Sequence, residues 1–470
     1  MRGSVEFGGG VAETIVNPVV LIAVLFAGVL ILILPRSRAI PPLLTMGILV
    51  PMDQVVVLAG LHFPMLRVLA LFGFARIFWA KFVQRKRIFS GGLNGIDLAM
   101  VVLTAFTALD GILLWQVWGA AIYQLGKLYT AFGVYFLLRF LVRDEEDVKE
   151  VLRGLAFVTI VVAGFMVNER VTGQNLFYAN LGGAQAKVYG IAMERGEIYR
   201  ATGCFGHPNL AGTYGGFVFP LFVAWWWKVP KERKFAMLAV VAAAVIPFTT
   251  GSSTAVFALL GAVLAFGFWP LRRRMRMVRW GIVAVIISLH LVMTAPVWHL
   301  ISRVHLANGS SSYQRYELVN QCVLHFWDWV LIGTKSYASW GWEMWDLSNQ
   351  YVATADTAGL VPLLAFLAIL MYGFKYVGKA RRFYEGNRKQ ERFLWAIGAS
   401  LFANLVAFMG ISYFDQTIVP WYTLVALISA VTLAARKGHS VRETEAIVRP
   451  EVDIRLSSAG GWQARVLPNQ

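Results

Sequence analysis

Apolar residues in this chain come in runs of about 18–23, the length a helix needs to cross a hydrocarbon core of about 30 Å. Segments 17–35, 40–59, 64–82, 96–116, 120–141, 151–168, 209–228, 235–250, 253–270, 278–297, 358–376, 393–412 and 418–435 fit the pattern. They predict an all-α polytopic membrane protein with about 12–13 transmembrane helices. The second segment carries Pro41, Pro42, Pro51 and Asp53, which predicts a broken or re-entrant element.

Composition agrees. Of 470 residues, 58% are hydrophobic and 15% charged, and the mean hydropathy is +0.60. A soluble fold could not bury that much apolar surface. The net charge of +17 could suggest nucleic acid, but the placement of the charge gives another meaning. With the N-terminus outside, most of the Lys and Arg fall at Arg36 and Arg38, in 81–87, 139–153, 228–234, 272–279 and 375–392, and after 435. That is the positive-inside bias, with attraction to anionic lipid as a secondary effect. Nucleic acid is therefore not an expected partner; membrane lipids are. Glu6 and Glu13 precede the first apolar run without a basic leader, so no cleavable signal is expected.

The spans divide the chain into N-terminal helices (1–168), a first long outer loop (169–208), central helices (209–297), a second long outer loop (298–357), C-terminal helices (358–435) and a polar cytoplasmic tail (436–470). Long connections tend to carry function. The first loop holds Arg170, Lys187, Glu194, Arg195, Glu197, Arg200 and His207. The second holds Arg315, Glu317, Glu343, Asp346 and Asp356 among five tryptophans: Trp327, Trp329, Trp340, Trp342 and Trp345. Arginine forks match phosphate oxygens and aromatic faces suit sugar rings. A belt at the membrane interface would account for the tryptophans equally well.

Other chemistries are excluded by pattern. There is no Walker loop, no His-Glu-x-x-His and no Gly-x-Ser-x-Gly elbow, and metal ligands at recognised spacing are missing. No metal and no cofactor are expected. Cys204 and Cys322 read as two free thiols, with one bridge as the alternative. Asp110 and Lys127 lie in consecutive spans, where an ion pair or a substrate path would explain them. Thr250-Gly251-Ser252-Ser253-Thr254 reads as a turn with helix-capping hydroxyls.

Three blocks occur in order. The first, Arg200-Ala-Thr-Gly-Cys-Phe-Gly-His-Pro-Asn-Leu-Ala-Gly, opens a span. The second is Ser312-Tyr-Gln-Arg-Tyr-Glu-Leu-Val, followed by Trp329-Val-Leu-Ile-Gly-Thr-Lys. The third is Asp346-Leu-Ser-Asn-Gln-Tyr-Val, followed by Thr357-Ala-Gly-Leu-Val-Pro-Leu-Leu. Together they resemble the O-antigen ligase and O-antigen polymerase superfamily. The resemblance is carried by roughly residues 200–377, and extends to the rest of the chain by topology alone.

The resemblance implies a GT-C-like fold and an inverting, metal-independent glycosyltransferase of the bacterial inner membrane. Such an enzyme moves glycan from an undecaprenyl-diphosphate carrier to an acceptor glycan or glycolipid, and a polymerase works beside a chain-length regulator. Arg200 and Arg315 map to the arginines expected to bind diphosphate, with Lys187 and Arg195 assisting. Asn209 and Asn349 are the asparagines of the first and third blocks and are expected on the substrate side. Where the family often has a His-Asn pair this chain has Ser348-Asn349, and after Thr250 it has Ser-Ser-Thr rather than Ser-Arg-Gly. Losing the histidine favours polymerase over ligase. It leaves Asp346 as the preferred base, with Glu343, Asp356 and His207 as the other candidates. Two rival classes remain: a flippase for lipid-linked glycans, and a non-catalytic membrane protein of polysaccharide assembly.

Overall fold

A computed structural model describes residues 13–51, 53–183, 188, 190–195, 197–303 and 312–438, together with the strands of a hairpin at 453–456 and 462–465. Each predicted apolar segment carries a helix: α1 (Pro18–Ile33), α2 (Ile40–Leu49), α3 (Met65–Phe78), α4 (Gly95–Trp115), α5 (Trp118–Leu141) and α6 (Glu145–Thr172) in the first half. After a short α7 (Leu176–Leu181) come α8 (Pro208–Lys228), α9 (Arg233–Thr249), α10 (Ser253–Gly267) and α11 (Met275–Val292). The last part adds α12 (Ser312–Leu324), α13 (Gln350–Ala358), α14 (Leu360–Phe383), α15 (Arg388–Ala407) and α16 (Ile418–Val431). The all-helical reading holds. Four helices, α4, α6, α11 and α14, are long and apolar enough to cross a membrane. Among the shorter apolar helices are α1, α10 and α16.

Local chemistry fixes the helix starts. Asn94 with Asp97, and Asp144 with Asp147, form reciprocal capping boxes on α4 and α6. His207 caps α8, with Pro208 at its first position. The second predicted span is corrected. Pro41 and Pro42 open α2, which runs only ten residues, about 15 Å by helical rise. The chain then turns through an antiparallel hairpin, β1 (Val55–Leu58) and β2 (Leu61–Pro64). The hairpin stays near the start of α1, where Ile15 pairs with Val55.

Buried α8 and α16 form the middle of the bundle. Small residues let α8 approach its neighbours closely. A Cβ added at Gly215 would sit 2.8 Å from the Ala243 carbonyl oxygen on α9, and one at Gly216 would sit 2.9 Å from Ala258 Cβ on α10. From the other side, Ser400 Oγ of α15 donates to Phe217 O at 2.7 Å. By contrast α11 has no buried residue at all.

Charge separates the two ends of the bundle. At one end ion pairs tie the basic connections together: Arg36 to Asp144 and Asp147 (2.5 and 3.0 Å), Lys228 to Glu145 (3.2 Å), Arg153 to Glu232, and Arg273 to Glu385 (2.8 Å). Close by, Asp97 and Arg139 form a fully buried pair at 3.1 Å, and Tyr135 Oη donates to the same carboxylate at 2.7 Å. The expected Asp110–Lys127 pair is not among the ion pairs of the described residues. Gln124 fills the space beside Gly111 on α4, and Lys127 Nζ lies 5.3 Å from the centre of the Tyr123 ring instead.

The opposite end carries both long loops, and their described residues include helices and a hairpin. The first contains α7 and the hairpin β3 (Met193–Arg195) with β4 (Ile198–Arg200). In the second, α12 and α13 close over a small separate core of Leu318, Cys322, Trp329, Met344, Val352 and Ala355. Both cysteines are free and buried, so no bridge forms.

Candidate functional site

The first block is folded into the mouth of the bundle. Glu169, in the last turn of α6, accepts the backbone N–H of Thr202 at 3.0 Å and of Gly203 at 2.8 Å, and the Thr202 hydroxyl at 3.2 Å. Asn175 Nδ2 reaches Thr202 Oγ1 and Gly203 O, each at 2.8 Å. Ala201 N donates to Thr249 O at 3.1 Å, and Gln416 holds the Cys204 carbonyl. Four separate parts of the chain thus fix the turn that follows Arg200.

Arg200 itself is only 8% exposed. Its Nε donates to Thr250 O and an Nη to Asn209 Oδ1, both at 3.2 Å. Ser252 Oγ donates to the same Asn209 oxygen at 2.6 Å. The expected capping role is corrected: Ser252, at the N-cap of α10, makes no side-chain cap hydrogen bond, and the hydroxyl-rich turn instead supplies the wall against which the guanidinium lies. His207 Nδ1 accepts the Asn209 N–H at 3.1 Å, which makes that nitrogen the unprotonated one.

A second cluster forms between α12 and the 343–349 turn. Gln314 Nε2 donates to Glu343 O at 3.3 Å, and Asp346 N to the same carbonyl at 3.2 Å. Glu343 adopts a left-handed φ of 53°, which turns its carbonyl toward both donors. Asp346 reaches the surface, yet the surrounding walls desolvate its carboxyl and raise its pKa. The hydrogen bond from Gln314 and the nearby Arg315 charge pull the other way. The structure thus brings Arg315 and Asp346, 31 positions apart in the sequence, within electrostatic reach of each other.

The two clusters are joined through the turn between α15 and α16. Phe408 O accepts Gln350 N at 2.8 Å, Met409 O accepts Asn349 Nδ2 at 3.4 Å, and Gly410 O accepts Thr254 Oγ1 at 3.4 Å. A chain of contacts therefore runs from Arg200 through Asn209 and Ser252 to α10, and from Thr254 through Gly410 and Met409 to Asn349. Three residues before Asn349 stands Asp346.

The remaining candidates divide. Asn349 is 1% exposed, and its Oδ1 caps α13 by accepting Tyr351 N (3.0 Å) and Val352 N (3.3 Å). Its amide is thus used on both sides. Asp356 is fully buried among the residues of the small core, where neither carboxyl oxygen has a hydrogen-bond partner among the described residues, and burial raises its carboxyl to about 7. No acceptor sugar could reach it there, which removes it as a base. Arg195 is described only as a strand residue opposite Ile198, and Lys187 lies outside the described residues. Sequence reading missed Glu169 and Asn175, which hold the first block in place. Glu169 falls one position beyond the predicted end of its span, 151–168, and belongs to no motif.

The tryptophans split by environment. Trp329 is buried and donates to Cys322 O at 2.7 Å, and Trp340 stacks on His325 with 4.4 Å between ring centres and an interplanar angle of 4°. Trp327, Trp342 and Trp345 stand exposed by 84%, 71% and 70%. Among the described residues no group of His, Cys, Asp and Glu could hold a metal ion. Two open cavities lie elsewhere, one between α2, α6 and α9 and the other on α3. No protein-family model matches this chain, and neither does any curated protein sequence.

Proposed function

We propose that this chain is a multi-pass glycosyltransferase of the bacterial inner membrane, acting at its outer face on an undecaprenyl-diphosphate-linked glycan. The observation that carries the reading is the convergence of blocks distant in sequence on one end of the bundle. Arg200, Asn209 and Ser252 meet there and connect through Gly410 and Met409 to the Asn349–Asp346 turn. The ion-paired basic connections lie at the other end, as the positive-inside rule requires of a cytoplasmic face.

On this reading the polyprenyl tail lies among the helices, with the diphosphate presented to the arginines. An acceptor hydroxyl oxygen attacks the anomeric carbon, and the bond from that carbon to the diphosphate breaks. The leaving diphosphate keeps the electron pair, and guanidinium charge stabilises it. Asp346 takes the hydroxyl proton. Its raised pKa makes it a stronger base than an ordinary surface carboxylate, and Arg315 beside it can hold phosphate bidentately. The exposed tryptophans offer faces for sugar rings. Ser348 in place of a histidine favours polymerisation over ligation to a lipid core.

The test is reconstitution. Purified protein with lipid-linked donor and acceptor in detergent should give longer glycan without added metal. Absence of product from a donor that a control enzyme consumes would overturn the reading, and translocation of donor without bond formation would favour a flippase.

A further inference from the structure

At the basic end of the bundle some cations are neutralised from within the chain and others are not. Arg36, Arg153, Lys228, Arg272, Arg273 and Arg381 each pair with a carboxylate. Lys81, Arg85, Lys86 and Arg87 are all exposed, and none of them forms an ion pair among the described residues. The sequence explains why: no Asp or Glu occurs between Asp53 and Asp97. Four cations within seven positions therefore repel one another with no internal anion to offset them.

The segment is nonetheless held firmly. Gln84 N donates to Trp79 O at 3.1 Å and Lys86 N to Ala80 O at 2.9 Å. Arg143 holds the Ile88 carbonyl at 2.7 Å, and Arg139 holds those of Ser90 and Gly92 at 3.3 and 3.2 Å. Directly against it α3 continues as a π-helix, Trp79–Val83, a wider turn often found where a helix does more than pack. Together with the end of α3, this turn opens a groove of about 630 Å³ lined by Leu71, Phe74, Phe78, Phe82 and Ile88, with Lys81 at its polar margin. Phe78 and Phe82 pair at 4.5 Å between ring centres along it.

An apolar groove with Lys81 on its lining and three more exposed cations within the next six positions matches one kind of molecule: an acyl chain joined to a negative headgroup. The geometry points to a specific site for an anionic glycerophospholipid, its acyl chain along the α3 groove and its phosphate among Lys81, Arg85, Lys86 and Arg87. The site requires the chain to lie in a bilayer and does not depend on the transferase reading. Bound lipid would supply at this corner the negative charge that Asp144, Glu145 and Glu232 supply to Arg36, Lys228 and Arg153.

Trp79 is 57% exposed beside the groove and serves as a reporter. The full chain in mixed micelles is titrated with phosphatidylglycerol or phosphatidylcholine carrying brominated acyl chains, and the Trp79→Phe variant isolates the Trp79 signal. Phosphatidylglycerol should quench that signal at a mole fraction lower by about tenfold, and neutralising all four cations to Gln should abolish the difference. High salt should shrink the preference in the wild-type protein, which decides the matter if the quadruple variant does not fold. Equal quenching by the two lipids would mark the groove as ordinary boundary-lipid surface and overturn the proposal. So would a preference that survives both neutralisation and salt.

Discussion

Asp97 Oδ1 and Arg139 Nε lie 3.1 Å apart with both side chains fully buried, which fastens α4 to α5 at the basic end. Removing one partner of such a pair leaves a charge with nothing to offset it. Asp97→Ala should cost about 3–5 kcal/mol. A second change, Arg139→Leu, should recover a large part of that loss. Thermal unfolding in detergent checks both. A double variant no more stable than the single would show that the pair is not what fastens the helices.

Arg200 holds Thr250 O and Asn209 Oδ1 with two arms of one planar group. Lysine keeps the charge but cannot span both acceptors or grip a phosphate bidentately. Arg200→Lys and Arg315→Lys should each lower transfer by about a hundredfold, the scale of losing one strong donor to a developing anion. Glycan chain length and accumulated lipid-linked donor, measured in a deletion strain carrying each variant, give the readout. Normal product from both variants would sink the diphosphate role.

Asp346 acts in its ionised form if it is the base, so activity should fall as pH drops through its pKa. Because desolvation raises that pKa, the acidic limb should lie above the usual aspartate value of about 3.9. Arg315 and Gln314 both lower it, so Arg315→Gln should move the limb to higher pH. A pH–rate profile whose limb ignores both Arg315→Gln and Gln314→Ala would exclude Asp346 as the titrating group.

Burial raises the Asp356 carboxyl to about 7 in the folded chain from its ordinary value of 3.8. A carboxyl with a raised folded pKa binds its proton more tightly when folded, so stability is greatest at low pH and declines as pH rises from 3.8 through about 7. Each pH unit inside that window is worth about 1.4 kcal/mol. Asp356→Asn should flatten the dependence of melting temperature on pH across the window and stabilise the protein above it. An unchanged slope would show that the carboxyl is ionised in the fold.

Helix positions were legible because a span must be long and apolar whatever its neighbours. α2 was the exception: Pro41, Pro42 and Pro51 announced a break, but hydropathy alone could not show that the break becomes a hairpin returning to Ile15. Ion pairing was less legible, because a sequence shows which charges exist and not which face they occupy. Arg139 counted as a loop cation and lies buried against Asp97, whereas Asp110 and Lys127, adjacent in reading order, do not meet. In the candidate site, Arg200, Arg315 and Asp346 were visible as motif members. Glu169 and Asn175 were not, because their work is to hold backbone and no motif spacing records it.

The turn at 408–410 secures Gln350, Asn349 and Thr254 through three successive carbonyl oxygens. Side-chain identity matters there at Phe408, whose ring is buried, and at Gly410, where a Cβ would stand 2.5 Å from Thr254 Oγ1. This stretch behaves as a keystone cut from main chain. Phe408, 1% exposed, plugs its ring between Phe366, Tyr413 and Trp421, so of the three positions only Met409, 39% exposed, is free to drift while the shape persists.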